Sequence, residues 1–279
     1  MIIGDMQRKR NFGLEKVKRA IEIHNGTTLL ATGITGDDAR LALAAVKAGA
    51  KLLEPNHPAV ALARGHKGVT SMHAAEEIRH EIEFSEMCKV VKGVRAVVGN
   101  EIYITAGIPG SFTEVLPTPF TEQMAYELSR AGADGVHTHK STYEDLIDVV
   151  DICHKNGLLV DAYIAHPSDR HLFGIPAKSP GEVAEAARRM EEIGVDLIGL
   201  MTGMSYEGVA AGDIPQVIKE RLQALISNVS VPTLAEGGIN AVNYKAFIGT
   251  GVNILVVGTA FDDIARKAVE ETVSIFLKK

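Results

Sequence analysis

Cysteine is nearly absent from this chain of 279 residues: only Cys88 and Cys153 occur, and they do not form a C-x-x-C pair. That excludes a disulfide framework and a cysteine zinc site. A basic surplus is also missing, since 29 Lys and Arg face 35 Asp and Glu for a net charge of −6. A nucleic-acid partner, which recruits basic faces, is therefore not expected. A small phosphorylated ligand remains compatible, because it needs only local donors. No apolar run approaches the length of a membrane span, and the basic N-terminus lacks the apolar core of a signal peptide. The expectation is a soluble cytoplasmic protein with no membrane partner.

What is present is ordinary globular composition, 46% hydrophobic and 23% charged, at a length close to the roughly 250 residues of one (β/α)₈ barrel. Two stretches organise the chain. Val231 to Asn240 and Gly251 to Ala260 are each a short apolar run ending in glycine and followed by a helical pattern. Such runs between helices suggest buried parallel strands. A helix-terminating glycine, a small residue, a polar residue and a buried strand recur from Gly49, Gly132, Gly194 and Gly251. These starts predict strands 2, 4, 6 and 8. Between them fall Thr28 to Thr32 as strand 1, Ile102 to Ala106 as strand 3, Leu158 to Tyr163 as strand 5, and strand 7. The fold expected is a single (β/α)₈ TIM barrel over residues 1–279 with an extra N-terminal helix, the arm and helix occupying residues 1–27. Leu14, Val17, Ala20, Ile21 and His24 have helical spacing, suited to a helix that covers the bottom of the barrel or packs on a neighbour. The basic run Gln7 to Arg10 is read as a solvated arm. A helical stretch is expected from about Ser71 to Val91.

Barrel chemistry sits at the C-terminal ends of the strands. The candidates there are Glu54, His57, Thr105, His137, His139, Lys140, Asp161, His166, Thr202 and Glu236. A period of two puts His137 and His139 on one face of strand 4, with Asp161 on the adjacent strand. Imidazole with carboxylate serves general acid/base catalysis near neutral pH. The same three residues could hold a divalent metal, the one cofactor considered. Lys140 could form a Schiff base with a carbonyl substrate, or simply face solvent ahead of an N-cap at Ser141 or Thr142. Glu236 could accept a proton or bind sugar hydroxyls. Glu54, His57, His166 and Thr202 are further substrate contacts. Arg170 and His171 lie in a long loop on the same face. Glycine ends at two neighbouring helix N-termini, Gly237-Gly238 and Gly258-Thr259, would cradle a phosphate.

The segment Met201-Thr202-Gly203-Met204-Ser205-Tyr206-Glu207-Gly208-Val209-Ala210-Ala211-Gly212, flanked by Ala131 to His139 and Thr233 to Ala260, resembles 3-hexulose-6-phosphate synthases and 3-keto-gulonate-6-phosphate decarboxylases, members of the ribulose-phosphate-binding barrels. The resemblance covers roughly residues 125–275. It implies phosphate binding by Gly237, Gly238, Gly258 and Thr259, mainly through backbone N–H, and a homodimer or higher homo-oligomer. The chain departs from that group at strand 3, where the group carries Asp-x-Lys-x-x-Asp and this sequence reads Tyr103-Ile104-Thr105-Ala106-Gly107-Ile108-Pro109-Gly110. Thr202 stands near the group's histidine and Gly208 near its glutamine, so its chemistry does not carry over residue by residue. Ala235-Glu236-Gly237 also resembles N-acetylmannosamine-6-phosphate 2-epimerases, without their catalytic lysine segment.

The function expected is acid/base carbonyl chemistry (isomerase, epimerase or aldolase/lyase type) on a phosphorylated sugar or similar small metabolite. The alternatives are a Schiff-base aldolase using Lys140 and a non-catalytic phosphometabolite sensor.

Overall fold

The computed structural model describes residues 3–33, 37–69, 72–108, 119–169, 172–203 and 212–278; the side chains of Ile3, His57, Pro58, Met72, His73, Glu76 and Thr259 are outside the description. The strands are β1 (Thr28–Thr32), β2 (Leu52–Glu54), β3 (Tyr103–Gly107), β4 (Gly135–Thr138), β5 (Leu159–Ala165), β6 (Leu197–Met201), β7 (Thr233–Glu236) and β8 (Ile254–Val257). Each pairs in parallel with the next, and β8 returns to β1, which closes the barrel. A two-residue segment, Ile175–Pro176, adds a parallel step beside β5. Closure gives each of the eight strands a neighbour on both sides, and the strands are buried on both faces, as their unbroken apolar runs require.

The helices follow the strands: α1 (Ile3–Ile23), α2 (Ala39–Lys47), α3 (His57–Ala63), α4 (Met72–Glu77), α5 (Phe84–Val98), α6 (Glu122–Ala131), α7 (Tyr143–Lys155), α8 (Pro180–Ile193), α9 (Gln216–Ile226), α10 (Tyr244–Ile248) and α11 (Thr259–Leu277). Their starts have local causes. Asp38, Thr121 and Thr142 accept backbone N–H bonds at the first turns of α2, α6 and α7, and Ser179 with Glu182 forms a capping box on α8. Their ends match the repeated glycine plan: Gly49, Gly132, Gly194 and Gly251 have φ of +115°, +106°, +102° and +85°. That left-handed region is open to glycine and costly for most other residues.

The stretch expected to be one helix from Ser71 to Val91 is broken. It comprises α4, a 3₁₀ turn at Arg79–Glu81 and the start of α5. Arg79 explains the break, because its buried guanidinium reaches back through Nη2 to the carbonyl of Ile108 at 3.1 Å. The C-terminal helix α11 stands largely clear of the barrel, with Val269 65% and Phe276 82% exposed.

Two apolar layers hold the barrel. Inside it, Leu30, Leu52, Leu159, Leu197, Leu234 and Ile254 pack with Val17 and Ala20 of α1. Outside it, the other faces of the strands meet the surrounding helices. The N-terminal helix therefore covers the barrel bottom, the first of the two placements its spacing allowed. The basic run Gln7 to Arg10 lies within this helix and is not a solvated arm. Lys9 Nζ donates to Ser129, and Arg10 Nη2 pairs with Asp196 at 3.0 Å; Arg8 alone of the three pairs locally, with Asp5. Lys16 Nζ meets Asp134 Oδ1 at 2.8 Å, while Arg95 Nη2 meets Asp134 Oδ2 at 2.6 Å. That second oxygen also accepts the Ile104 N–H. Asp134 thus joins α1, α5 and β3 at one buried point. Removing one member of such a group strands the charges left behind. Asp134→Ala is expected to lower unfolding stability by about 3–5 kcal/mol, measured by urea denaturation; a loss below about 1 kcal/mol, the range of exposed pairs, would show that these contacts are not load-sharing.

Candidate active site at the strand ends

In the β4–β5 ladder His137 stands opposite Asp161. Strand alternation then turns both side chains away from the outer layer that takes Val136 and Val160, and into the barrel. His137 Nδ1 lies 2.6 Å from Asp161 Oδ2, 3.4 Å from the Tyr163 hydroxyl and 3.8 Å from Glu54 Oε2. Asp161 Oδ1 accepts the Thr105 hydroxyl at 2.6 Å. On the far side of the ring, His137 Nε2 is 3.2 Å from His139 Nε2 and 3.5 Å from Glu236 Oε2. His139 Nε2 is 3.8 Å from the same Glu236 oxygen. Residues from β2, β3, β4, β5 and β7, with His139 just beyond β4, thus meet at one spot.

Aromatic walls and absent side chains shape this spot. The Tyr163 ring lies 4.8 Å from the His137 ring and 5.1 Å from that of His139, with Phe173 5.2 Å from His139 on another side. Tyr163 fits because its ladder partner is Gly199, where a Cβ would overlap the phenol ring. Gly107 does the same for Glu54: a Cβ there would sit 2.9 Å from Glu54 Oε1.

Burial makes the charges in this cluster interdependent. It opposes ionisation of His137, but Glu54, Asp161 and Glu236 outweigh it and raise the imidazole pKa to about 10. For His139 burial wins; the positive charge of His137 adds to it, and the pKa falls to about 4. Burial also pushes Glu54 up to about 8, despite the attraction of His137. Burial acts in the same upward sense on Glu236, yet His137 and the His139 contact hold it below its ordinary value. The result is a charged imidazole touching a neutral one through their Nε2 atoms, a donor beside an acceptor near neutral pH.

The remaining sequence candidates divide. Lys140 is 6% exposed just past His139, and burial lowers its pKa. Thr202 donates to the carbonyls of Glu236 at 2.9 Å and Gly237 at 2.8 Å, so it fastens the end of β7. His166 is occupied locally, where its Nδ1 lies 2.6 Å from the Ser168 hydroxyl and accepts the Ser168 N–H. His57 opens α3, but its side chain is outside the described residues, as are Arg170, His171 and residues 204–211. Sequence reasoning passed over Tyr163, although its place two residues after Asp161 on the same strand face was a usable signal. It also passed over Arg79, which a helical pattern makes look solvated. For a metal, the described donors that converge are His137, His139 and Glu236, with ligand atoms within 4.8 Å of one another. Asp161, expected as the third ligand, lies against the opposite edge of His137.

The glycine corner is adjacent. Gly237 and Gly238 have φ of +110° and +67°, and Asn243 Nδ2 holds the Gly238 carbonyl at 3.0 Å. A Cβ at Gly237 would be 2.8 Å from the Gly203 carbonyl oxygen, and one at Gly258 would be 2.9 Å from Thr32 Cγ2. Gly258 precedes α11 as its N-cap and Thr259 begins that helix. Asp262 in its first turn lies toward β1, beside Gly33.

No family model matches the chain. Thiamine-phosphate synthase 2 of Streptococcus pneumoniae is 29% identical over 143 residues, 47% of this chain and 64% of that protein. Thiamine-phosphate synthase of Ruminiclostridium cellulolyticum is 30% identical over 151 residues, 53% of this chain and 61% of that protein. The chain thus spans less than two thirds of these relatives. Among solved structures, a mutant tryptophan synthase α-subunit from Pyrococcus furiosus superposes with a TM-score of 0.61 at 16% identity, covering 87% of this chain and 91% of that one. A 2,3-dimethylmalate lyase of the PEP mutase/isocitrate lyase superfamily gives 0.62 at 14% identity, over 94% and 86%. The class is thereby a closed (β/α)₈ barrel of TIM type. These likenesses support the barrel expected from the sequence and do not extend to the particular ribulose-phosphate-binding group it resembles.

The site carries a pH signature. Glu54 and His137 both keep a proton in the folded chain that the unfolded chain releases, so unfolding stability falls as pH rises. The loss runs from 4.5 to about 8 for Glu54 and from 6.5 to about 10 for His137. The melting temperature is expected to decline between pH 6 and 9, and Glu54→Gln to flatten the part below 8. An equal slope in wild type and variant would contradict the assignment of Glu54.

Proposed function

We propose that this barrel is an enzyme that performs acid/base carbonyl chemistry on a small phosphorylated metabolite. The observation that carries the reading is the Nε2 contact of His137 with His139, both beside Glu236 at the strand ends, with the surrounding carboxylates favouring charge on His137 and burial favouring a neutral His139. A carbon acid next to a carbonyl needs a base for its proton and an acid for the developing oxyanion. His139 as a neutral imidazole is suited to the first role, and the His137 imidazolium to the second. Glu236 is a second base within reach, and Asp161, backed by Thr105, steadies the charge on His137. This is isomerase, epimerase or aldolase/lyase chemistry, all of which pass through an enediol-like state.

The phosphate half of the proposal rests on the glycine turn Gly237-Gly238 beside the N-terminus of α11 at Gly258-Thr259, a place where barrels commonly hold phosphate. The relatives named for thiamine phosphate point to the same ligand chemistry. A phosphate anchored there would spend remote binding energy on placing the carbonyl over the two imidazoles. A second reading has an observation of its own: the buried Lys140, whose lowered pKa favours the free amine a Schiff base requires.

Thermal-shift titration with inorganic phosphate and a panel of sugar phosphates is expected to stabilise the wild type. His139→Ala should reduce kcat on the responding compound by about 10²–10⁴-fold while ligand affinity stays within a few-fold. Stabilisation without turnover of any compound would convert the reading into that of a sensor. Borohydride reduction that traps a substrate carbon on Lys140 would transfer it to the Schiff-base route.

A further inference from the structure

The geometry points to a divalent first-row transition-metal site formed by His137 Nε2, His139 Nε2 and Glu236 Oε2, with one coordination position left for a ligand. The three atoms form a triangle with edges of 3.2, 3.5 and 3.8 Å. A point equidistant from them lies about 2.0 Å from each, which is the length of zinc–nitrogen and zinc–oxygen bonds. In a tetrahedral site with bonds of about 2.0–2.1 Å, donor atoms are about 3.3–3.4 Å apart, so the triangle closely matches one tetrahedral face. An ion lifted slightly out of that plane keeps these three bonds and presents its fourth position on the other side.

Three further observations agree. The distances from Glu236 Oε2 to the two rings are too long for hydrogen bonds, and this buried oxygen has no hydrogen-bond partner among the described residues. An ion between the three atoms would satisfy it. Asp161 lies against Nδ1 of His137, the edge away from the triangle. A carboxylate on the distal nitrogen of a metal-bound histidine fixes the ring and leaves Nε2 to the ion. Access is graded as well: the Glu236 and His139 side chains keep 20% and 11% of their surface, against 3% for His137, so the open side is at the strand ends. Two nitrogens and one oxygen suit Zn²⁺, Mn²⁺, Fe²⁺ or Co²⁺ better than Mg²⁺ or Ca²⁺, which prefer oxygen throughout. The substrate class this adds is a compound with a carbonyl or hydroxyl oxygen able to take the fourth position.

The site rests on donor geometry rather than on the phosphate reading, so the two can fail separately; a bound ion takes the place of the His137 Nε2 proton, and in that form the ion replaces the imidazolium as the acid of the proposed function. Protein stripped with a chelator is titrated with Zn²⁺, Mn²⁺ and Co²⁺ by calorimetry, with melting temperature and, for Co²⁺, visible absorption as parallel readouts. One ion per chain, a rise in melting temperature and Co²⁺ bands are expected. Binding should vanish in His139→Ala and in Glu236→Gln, weaken by about 10–100-fold in Asp161→Asn, and persist in His24→Ala, which alters a histidine at the barrel bottom. Circular dichroism checks that each variant is folded. The proposal is overturned if none of the three ions binds folded wild-type protein, or if binding is undiminished in Glu236→Gln. Ion binding without a response to any sugar phosphate would sink the phosphate reading alone.

Discussion

The arrangement depends on keeping charge inside a barrel that is otherwise apolar. Leu30, Leu52, Leu197 and Leu234 fill the lower interior, and directly above them sit Glu54, His137, Asp161 and Glu236. An isolated charge there would be prohibitively costly, and these groups are tolerated because each is next to another of opposite sign or is held neutral. The register that puts His137 opposite Asp161 supplies the closest of these pairings. A slip of one residue between β4 and β5 would replace the pair by apolar neighbours and take from each charge its nearest counter-charge. The same contact that makes the site chemically useful therefore also specifies how two strands are aligned.

Much of the barrel was legible because its signals are local. All four glycines of the repeat have positive φ, Gly132 and Gly194 as the C-caps themselves and Gly49 and Gly251 one and two residues past theirs, and the strands that follow begin within a few residues of expectation. His137 and Asp161 were legible as neighbours because adjacent strands and a period of two suffice to place them. Glu54 was harder. It reaches His137 although β3 lies between their strands, a contact made across the interior of the closed barrel and visible only once curvature is known. The interruption at Arg79 and the docking of Lys9 and Arg10 were missed for one reason. Charged residues in a helical pattern read as solvated unless a distant partner is known, and the carbonyl of Ile108, Ser129 and Asp196 are distant partners.

Small residues do as much as charged ones. Gly107 makes room for Glu54, Gly199 for the ring of Tyr163, and Gly135 for the hydroxyl of Tyr103. Strand β3 itself contributes Thr105, which backs Asp161, and a space at Gly107 that is filled from β2.

The position of α1 has a consequence for traffic. Val17 and Ala20 seal the lower interior, and Lys16 and Arg10 pin that seal to Asp134 and Asp196. Among the described residues the polar cluster is closed off from below, and its most exposed members are Glu236 and His139. A ligand bound to it is therefore met from the strand-end side, and the N-terminal helix acts as a fixed floor.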